Sequence, residues 1–144
     1  MTADTIALAA DHAGFELKNL LRDEIRRRGL QALDLGTHDA ASVDYPDMAG
    51  RLAAALADGR AARGVLVCGT GIGIGIAANR HRHVRAALCH DVTTATLARQ
   101  HNDANVLVLG ARVVGLAVAV DCLTAFLGTD FGGGRHQRRV EMLA

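Results

Sequence analysis

Five short apolar runs alternate with longer stretches of helical period, and that alternation constrains the fold of this chain more than any other feature. Ile6-Ala7-Leu8-Ala9-Ala10 reads as a buried strand ending at Asp11-His12-Ala13-Gly14. Phe15, Leu17, Leu20, Leu21 and Ile25 then fall on one helical stripe, and Gly29 supplies a stop. Leu30 to Leu35 forms a second strand, and a helix opens at Tyr45-Pro46-Asp47, with proline near its first turn, running through Ala57. Val65-Leu66-Val67, Val84 to Leu88 and Asn105 to Leu109 are the remaining strands. Helices are expected from Ile74 to Asn79, from Thr93 to Arg99 and from Leu116 to Leu127. Such alternation implies parallel pairing through right-handed crossovers. The expected fold is an α/β three-layer sandwich, a five-stranded parallel Rossmann-like sheet with helices on both faces.

With 144 residues, one domain spanning 1–144 is the expectation. Half of the residues are hydrophobic but only 3% are aromatic, so Ala, Val, Leu and Ile must build the core. Gly132-Gly133-Gly134 is the one flexible hinge, and it sets off residues 132–144 as a basic tail with a short helix. A formal net charge of +1 offers no electrostatic footprint for nucleic acid. No apolar run is long enough for a membrane span, and Met1-Thr2-Ala3-Asp4-Thr5 lacks the basic start of a signal peptide. Cys68, Cys89 and Cys122 are odd in number and lack zinc-type spacing, which argues for a reducing cytoplasm over a disulfide framework. The Leu116–Leu127 helix is apolar almost all round, so its outer face needs a cover, supplied by a second copy of the chain or by the tail.

The chemistry concentrates at Cys68-Gly69-Thr70-Gly71-Ile72-Gly73-Ile74-Gly75, where a strand delivers a cysteine into a loop with glycine at every second position. Glycines let a backbone approach a ligand closely, and their N–H groups can converge on an anion. A cysteine held there suits nucleophilic or base chemistry. In open α/β sheets ligands bind beyond the carboxyl ends of strands, where strand order switches. If strand one lies between strands two and three, Asp11-His12 faces Cys68-Gly69-Thr70 across that crevice.

Other motifs weigh less. A cysteine-phosphatase loop needs an arginine where this chain has Ile74, and a Walker loop needs a Gly-Lys-Ser/Thr that is missing. Gly73-Ile74-Gly75-Ile76-Ala77-Ala78 matches a dinucleotide pattern, but it starts well after its strand. His81-Arg82-His83 is too close-set and too mixed in charge for a metal pair. Cys89 lacks a glycine cradle, and Cys122 sits on the apolar helix, so both read as packing. Arg135 and Arg139 share a helical face, as two guanidiniums on a phosphate would. His101 is a candidate acid or base at a helix end.

Taken in order, Asp11-His12-Ala13-Gly14-Phe15, Asp44-Tyr45-Pro46, the Cys68–Gly73 loop, Ile76-Ala77-Ala78-Asn79, Arg99-Gln100-His101-Asn102-Asp103, Gly110-Ala111-Arg112 and Gly132-Gly133-Gly134-Arg135-His136 carry a family signature. The chain resembles the type B ribose-5-phosphate isomerases and the related galactose-6-phosphate and allose-6-phosphate isomerases over nearly its whole length. The resemblance implies Cys68 as the base, His101 as the residue that opens the cyclic sugar, and Thr70 as an aid to proton handling. It implies substrate contacts from Asp11, His12, Tyr45, Gly69, Thr70, Gly71, Ile72, Gly73 and Asn102, with Arg112, Arg135 and Arg139 on the phosphate. It also implies a site shared between two subunits of a homodimer, or of a dimer of such dimers. One branch of the family carries a glutamate base in the loop, at the position of Ile74 here, so this chain resembles the cysteine-base branch.

Isomerising an aldose phosphate needs a proton removed next to a carbonyl while charge collects on oxygen, and loop N–H groups can hold that enediolate. No redox cofactor or metal is required. The expected reaction joins ribose 5-phosphate and ribulose 5-phosphate. The alternatives are an allose or galactose 6-phosphate, or a non-catalytic module that binds a nucleotide or sugar phosphate.

Overall fold

β1 (Thr5–Ala10) is buried at every position, as a strand flanked on both sides and covered on both faces must be. The computed structural model describes residues 4–144; Met1-Thr2-Ala3, the start of the segment weighed as a signal peptide, lies outside the described residues. β1 pairs with β2 (Gln31–Asp34) on one side and with β3 (Arg63–Cys68) on the other. β5 (Val106–Gly110) follows β3, and β4 (Ala86–Leu88) forms the edge, giving the all-parallel order β2-β1-β3-β5-β4. The order reverses between β1 and β3, so the crevice opens at their carboxyl ends.

Alternate side chains build the two cores. Ile6, Leu8, Val65, Val67, Leu107 and Leu109 face α1 (Phe15–Arg27), α4 (Val92–Asn102) and α5 (Leu116–Gly128). Ala7, Ala9, Leu66, Val106 and Val108 face α2 (Tyr45–Ala57) and α3 (Ile72–Ala78). Gly14 is required where α1 meets the sheet, because a Cβ there would lie 2.5 Å from the carbonyl oxygen of Val67. Among the described residues no helix is long and apolar enough to cross a membrane.

Most element bounds shift by one to three residues from the sequence reading, and two of the shifts have a clear local cause. β4 begins at Ala86 because Val84 donates its N–H back to His81 in a turn and the Arg85 N–H goes to the Asn105 side chain. α3 begins two residues early, at Ile72, since Gly71 at φ 80° turns the chain sharply out of β3. The tail forms α6 (Arg135–Glu141), which packs on α4, while Leu116 and Val118 on the outer face of α5 stay exposed. The tail therefore does not cover that face.

A buried charge network supports the rim of the crevice. Lys18 is fully buried, and its ammonium donates to Asp34 at 2.6 Å, while Arg22 donates to the other carboxylate oxygen at 3.0 Å. Asp34 also accepts the N–H of Gly36, and the Gly36–Thr37 turn pairs with Ala10 just before Asp11. Lys18 lies on the same stripe as Leu21 and Ile25, so spacing alone puts it inside. Its partner at the end of β2 is what makes that tolerable.

Candidate active site

Cys68 is the last residue of β3, where strand pairing to Gly110 ends and the backbone turns into the glycine loop. Its sulfur accepts the N–H of Gly71 at 3.1 Å. Gly71 can point its amide that way because φ there is 80°, and it has no room for a side chain, with Leu88 2.5 Å from where a Cβ would stand. Thr70 accepts the N–H of Ile72 on its hydroxyl oxygen, leaving its own O–H proton available. Backbone bonds from Ala111 to Cys68 and from Arg112 to Gly69 tie the loop to the end of β5 and set the Arg112 guanidinium over Gly69.

Asp11 and His12 complete the near wall. One oxygen of Asp11 accepts the N–H groups of Ala13 and Gly14 at 3.0 and 3.2 Å, so it holds its own turn and leaves the other for a ligand. His12 accepts the N–H of Val43 on Nδ1 at 3.3 Å. That bond assigns the ring proton to Nε2, which is thereby a donor. Asp11, His12, Tyr45, Cys68, Thr70 and Arg112 line one cleft of about 440 Å³, together with Gly69, Ile72 and Gly73.

His101 is elsewhere. It stands near the end of α4, which runs back to the amino-terminal edge of the sheet, whereas Cys68 lies at the carboxyl edge. The length of β5 separates the two edges by about 15 Å, at roughly 3.3 Å per strand residue. His101 stacks on His136 with ring centroids 4.3 Å apart, and these two rings border a separate cavity of about 620 Å³. Burial, with help from His101, Arg135 and Arg139, holds His136 below the usual histidine range. Arg135 and Arg139 project from α6 beside this second site. Asn102 lines a third cavity with Arg85 and Leu143. The sequence-predicted residues thus divide into a cysteine half with Arg112 and a histidine half with the tail arginines.

Two features escaped the sequence reading. His136 has no role of its own in the Gly132–His136 motif, although its spacing after the glycine hinge places it on the helix that meets His101. The Lys18–Asp34 pair had a signal in the lysine on an apolar stripe. Cys89 and Cys122 are packing residues, both fully buried, and burial pushes the Cys89 thiol up and that of Cys122 to about 11.

A family model described as Ribose/Galactose Isomerase matches residues 6–143. The chain belongs to the ribose/galactose isomerase family. It is 46% identical over 138 residues to ribose-5-phosphate isomerase B of Escherichia coli K12, covering 96% of this chain and 93% of that protein. Ribose-5-phosphate isomerase B of Clostridium thermocellum superposes with a TM-score of 0.95 at 45% identity, over 96% of this chain and 94% of the other. The Mycoplasma genitalium enzyme, solved with bound ribulose 5-phosphate, gives a TM-score of 0.91 at 39% identity, covering 96% of this chain and 93% of that one.

Proposed function

We propose that this chain is an aldose–ketose isomerase interconverting ribose 5-phosphate and ribulose 5-phosphate, with each site built from the cysteine half of one copy and the histidine half of another. The observation that carries this reading is the placement of Cys68 and His101 on opposite edges of one sheet. One small sugar cannot reach both within a chain. A two-fold dimer brings the two edges together twice, and the exposed Leu116 and Val118 offer apolar surface for such an assembly. Residues 1–144 then act as one isomerase domain, with the 132–144 tail as the arm that reaches the neighbour. Three free cysteines suit a reducing cytoplasm.

In this reading His101 takes the proton from the anomeric O1 hydroxyl as the C1–O4 bond breaks, and the imidazolium returns that proton to O4, which becomes the C4 hydroxyl. The Cys68 thiolate removes the C2 proton of the open aldose, and electrons collect on O1. N–H groups of the glycine loop hold that enediolate. The sulfur returns the proton to C1, while the O2 proton passes to O1 with Thr70 as relay. Arg112 of one copy and Arg135 and Arg139 of the other hold the phosphate, whose binding orients the reacting carbons.

Mixing tests both halves together. Cys68→Ala and His101→Asn should each be inactive on ribose 5-phosphate alone. Random re-association makes heterodimers with one intact composite site, so mixing should restore about a quarter of wild-type activity. No recovery from folded, dimerising variants would refute the shared site, and no turnover by the unmodified protein would refute the reaction.

A further inference from the structure

We propose that Arg99 is a positioning residue that seats the tail against His101 and so places the tail arginines for the phosphate; this rests on the isomerase reading above. Arg99 lies on α4, two residues before His101, and its side chain is only 11% exposed. Three oxygens share its guanidinium. Nε donates to the Thr129 carbonyl at 3.1 Å, while Nη1 donates to the Asp103 carboxylate at 2.9 Å and to the Ala104 carbonyl at 2.6 Å. Asp103 caps α4 in the left-handed region at φ 46°, which among the described residues is the one positive φ outside glycine. Arg85 holds Asp103 in turn, donating to its other carboxylate oxygen at 3.3 Å and to its carbonyl at 2.8 Å. The guanidinium fork is therefore fixed on one side by Asp103, and its Nε is aimed at the strap that follows α5.

That strap leads directly to the tail. Residues 128–132 wall the cavity that the His101 and His136 rings border, and α6 with Arg135 and Arg139 starts just after the glycine hinge. Two bonds tie the strap to α4. Thr129 offers its carbonyl to Arg99, and Gly132 donates its N–H to the Gln100 carbonyl at 2.9 Å. Glycine at 132 permits this approach, since a Cβ there would lie 3.0 Å from that carbonyl oxygen. Residues 99 and 100 immediately precede His101, so the strap is registered to the helical turn that carries the histidine. Gly133 and Gly134 add no side-chain constraint, so the seat of α6 depends on this anchor and on its packing against α4. Freeing the Thr129 carbonyl should let the tail arginines drift from the phosphate, while the Cys68 loop in the other half of the site keeps its geometry.

Two variants test the anchor. Arg99→Met removes the fork, whereas Arg99→Lys keeps a cation beside Asp103 but has a single nitrogen in place of Nε and Nη1, so it cannot hold Thr129 as well. Both should raise KM for ribose 5-phosphate by about tenfold or more, since a misplacement of about 1 Å can cost on the order of a hundredfold. Both should also speed amide exchange at Gly132 while core amides such as that of Leu107 keep native rates. An ion pair that only stabilises the fold predicts native KM per folded site and, in Arg99→Lys, native exchange at Gly132. Mixing locates the effect. Heterodimers of Arg99→Met with Cys68→Ala carry one site whose two halves are both native, so that mixture should gain a component with native KM, and a mixture with His101→Asn should not. An unchanged KM in folded Arg99→Lys, unchanged exchange at Gly132, or a native-KM component in the His101→Asn mixture would overturn the positioning role and leave the isomerase reading intact. No turnover of ribose 5-phosphate by the unmodified protein would refute the isomerase reading, and the role of Arg99 in it.

Discussion

Asp34→Asn separates charge from shape at the network beneath the crevice. The substitution keeps the side-chain volume but leaves the fully buried Lys18 ammonium without its counter-ion 2.6 Å away. Removing one member of a buried pair costs about 3–5 kcal/mol, because the other charge stays desolvated and unpaired. Lys18→Met should cost less, about 1–3 kcal/mol, since Asp34 keeps the Arg22 bond and the Gly36 N–H and its side chain is 11% exposed. The double variant should recover much of the Asp34→Asn loss. Urea unfolding followed by far-ultraviolet circular dichroism at fixed protomer concentration gives the readout, with Asp34→Asn lowering the midpoint by about 2 M for a slope near 2 kcal/mol/M. The pH dependence gives a second check. Burial pushes the Asp34 carboxyl up, but Lys18, the Gly36 N–H and Arg22 outweigh it and hold the group below its ordinary 3.8. Its contribution is therefore complete above 3.8 and is lost as the pH falls through the lower, folded-state value. The gap between native protein and Asp34→Asn should narrow in acid. A loss under 1 kcal/mol at neutral pH, or a gap that widens in acid, would refute the reasoning.

Arg139→Ala should raise KM for ribose 5-phosphate about tenfold with little change in thermal unfolding, because Arg139 is exposed and a charged hydrogen bond contributes about 1.5–3 kcal/mol; an unchanged KM would remove the tail from phosphate binding. Thiol alkylation at pH 8 should label Cys68 in the folded protein and be slowed by a sugar phosphate, since burial keeps Cys89 and Cys122 in their thiol forms. Mass-spectrometric detection of label on Cys122 before unfolding would contradict that packing.

Much of this molecule is written locally. The continuous apolar runs Ile6–Ala10 and Val65–Val67 and the period-3.6 pattern in Phe15–Ile25 report which residues must leave water, and they determine the order of strands and helices by themselves. The Asp11–Gly14 turn and the Cys68–Gly73 loop are equally legible, because side-chain capping and positive φ impose residue types at fixed spacing. Tertiary structure alone decided that β5 lies inside β4, since both strands are short apolar runs and the choice rests on which buries more surface. It also decided how the buried Lys18 is neutralised, because its counter-ion comes from the end of β2, 16 residues further along the chain. Most consequentially, it seated α6 on α4, which brings His136 and the tail arginines beside His101. The opposite edge for His101 follows from the parallel alternation, since a crossover helix must return to the amino end before β5 begins; the seating of α6 on α4 does not, because it depends on side-chain packing after the glycine hinge.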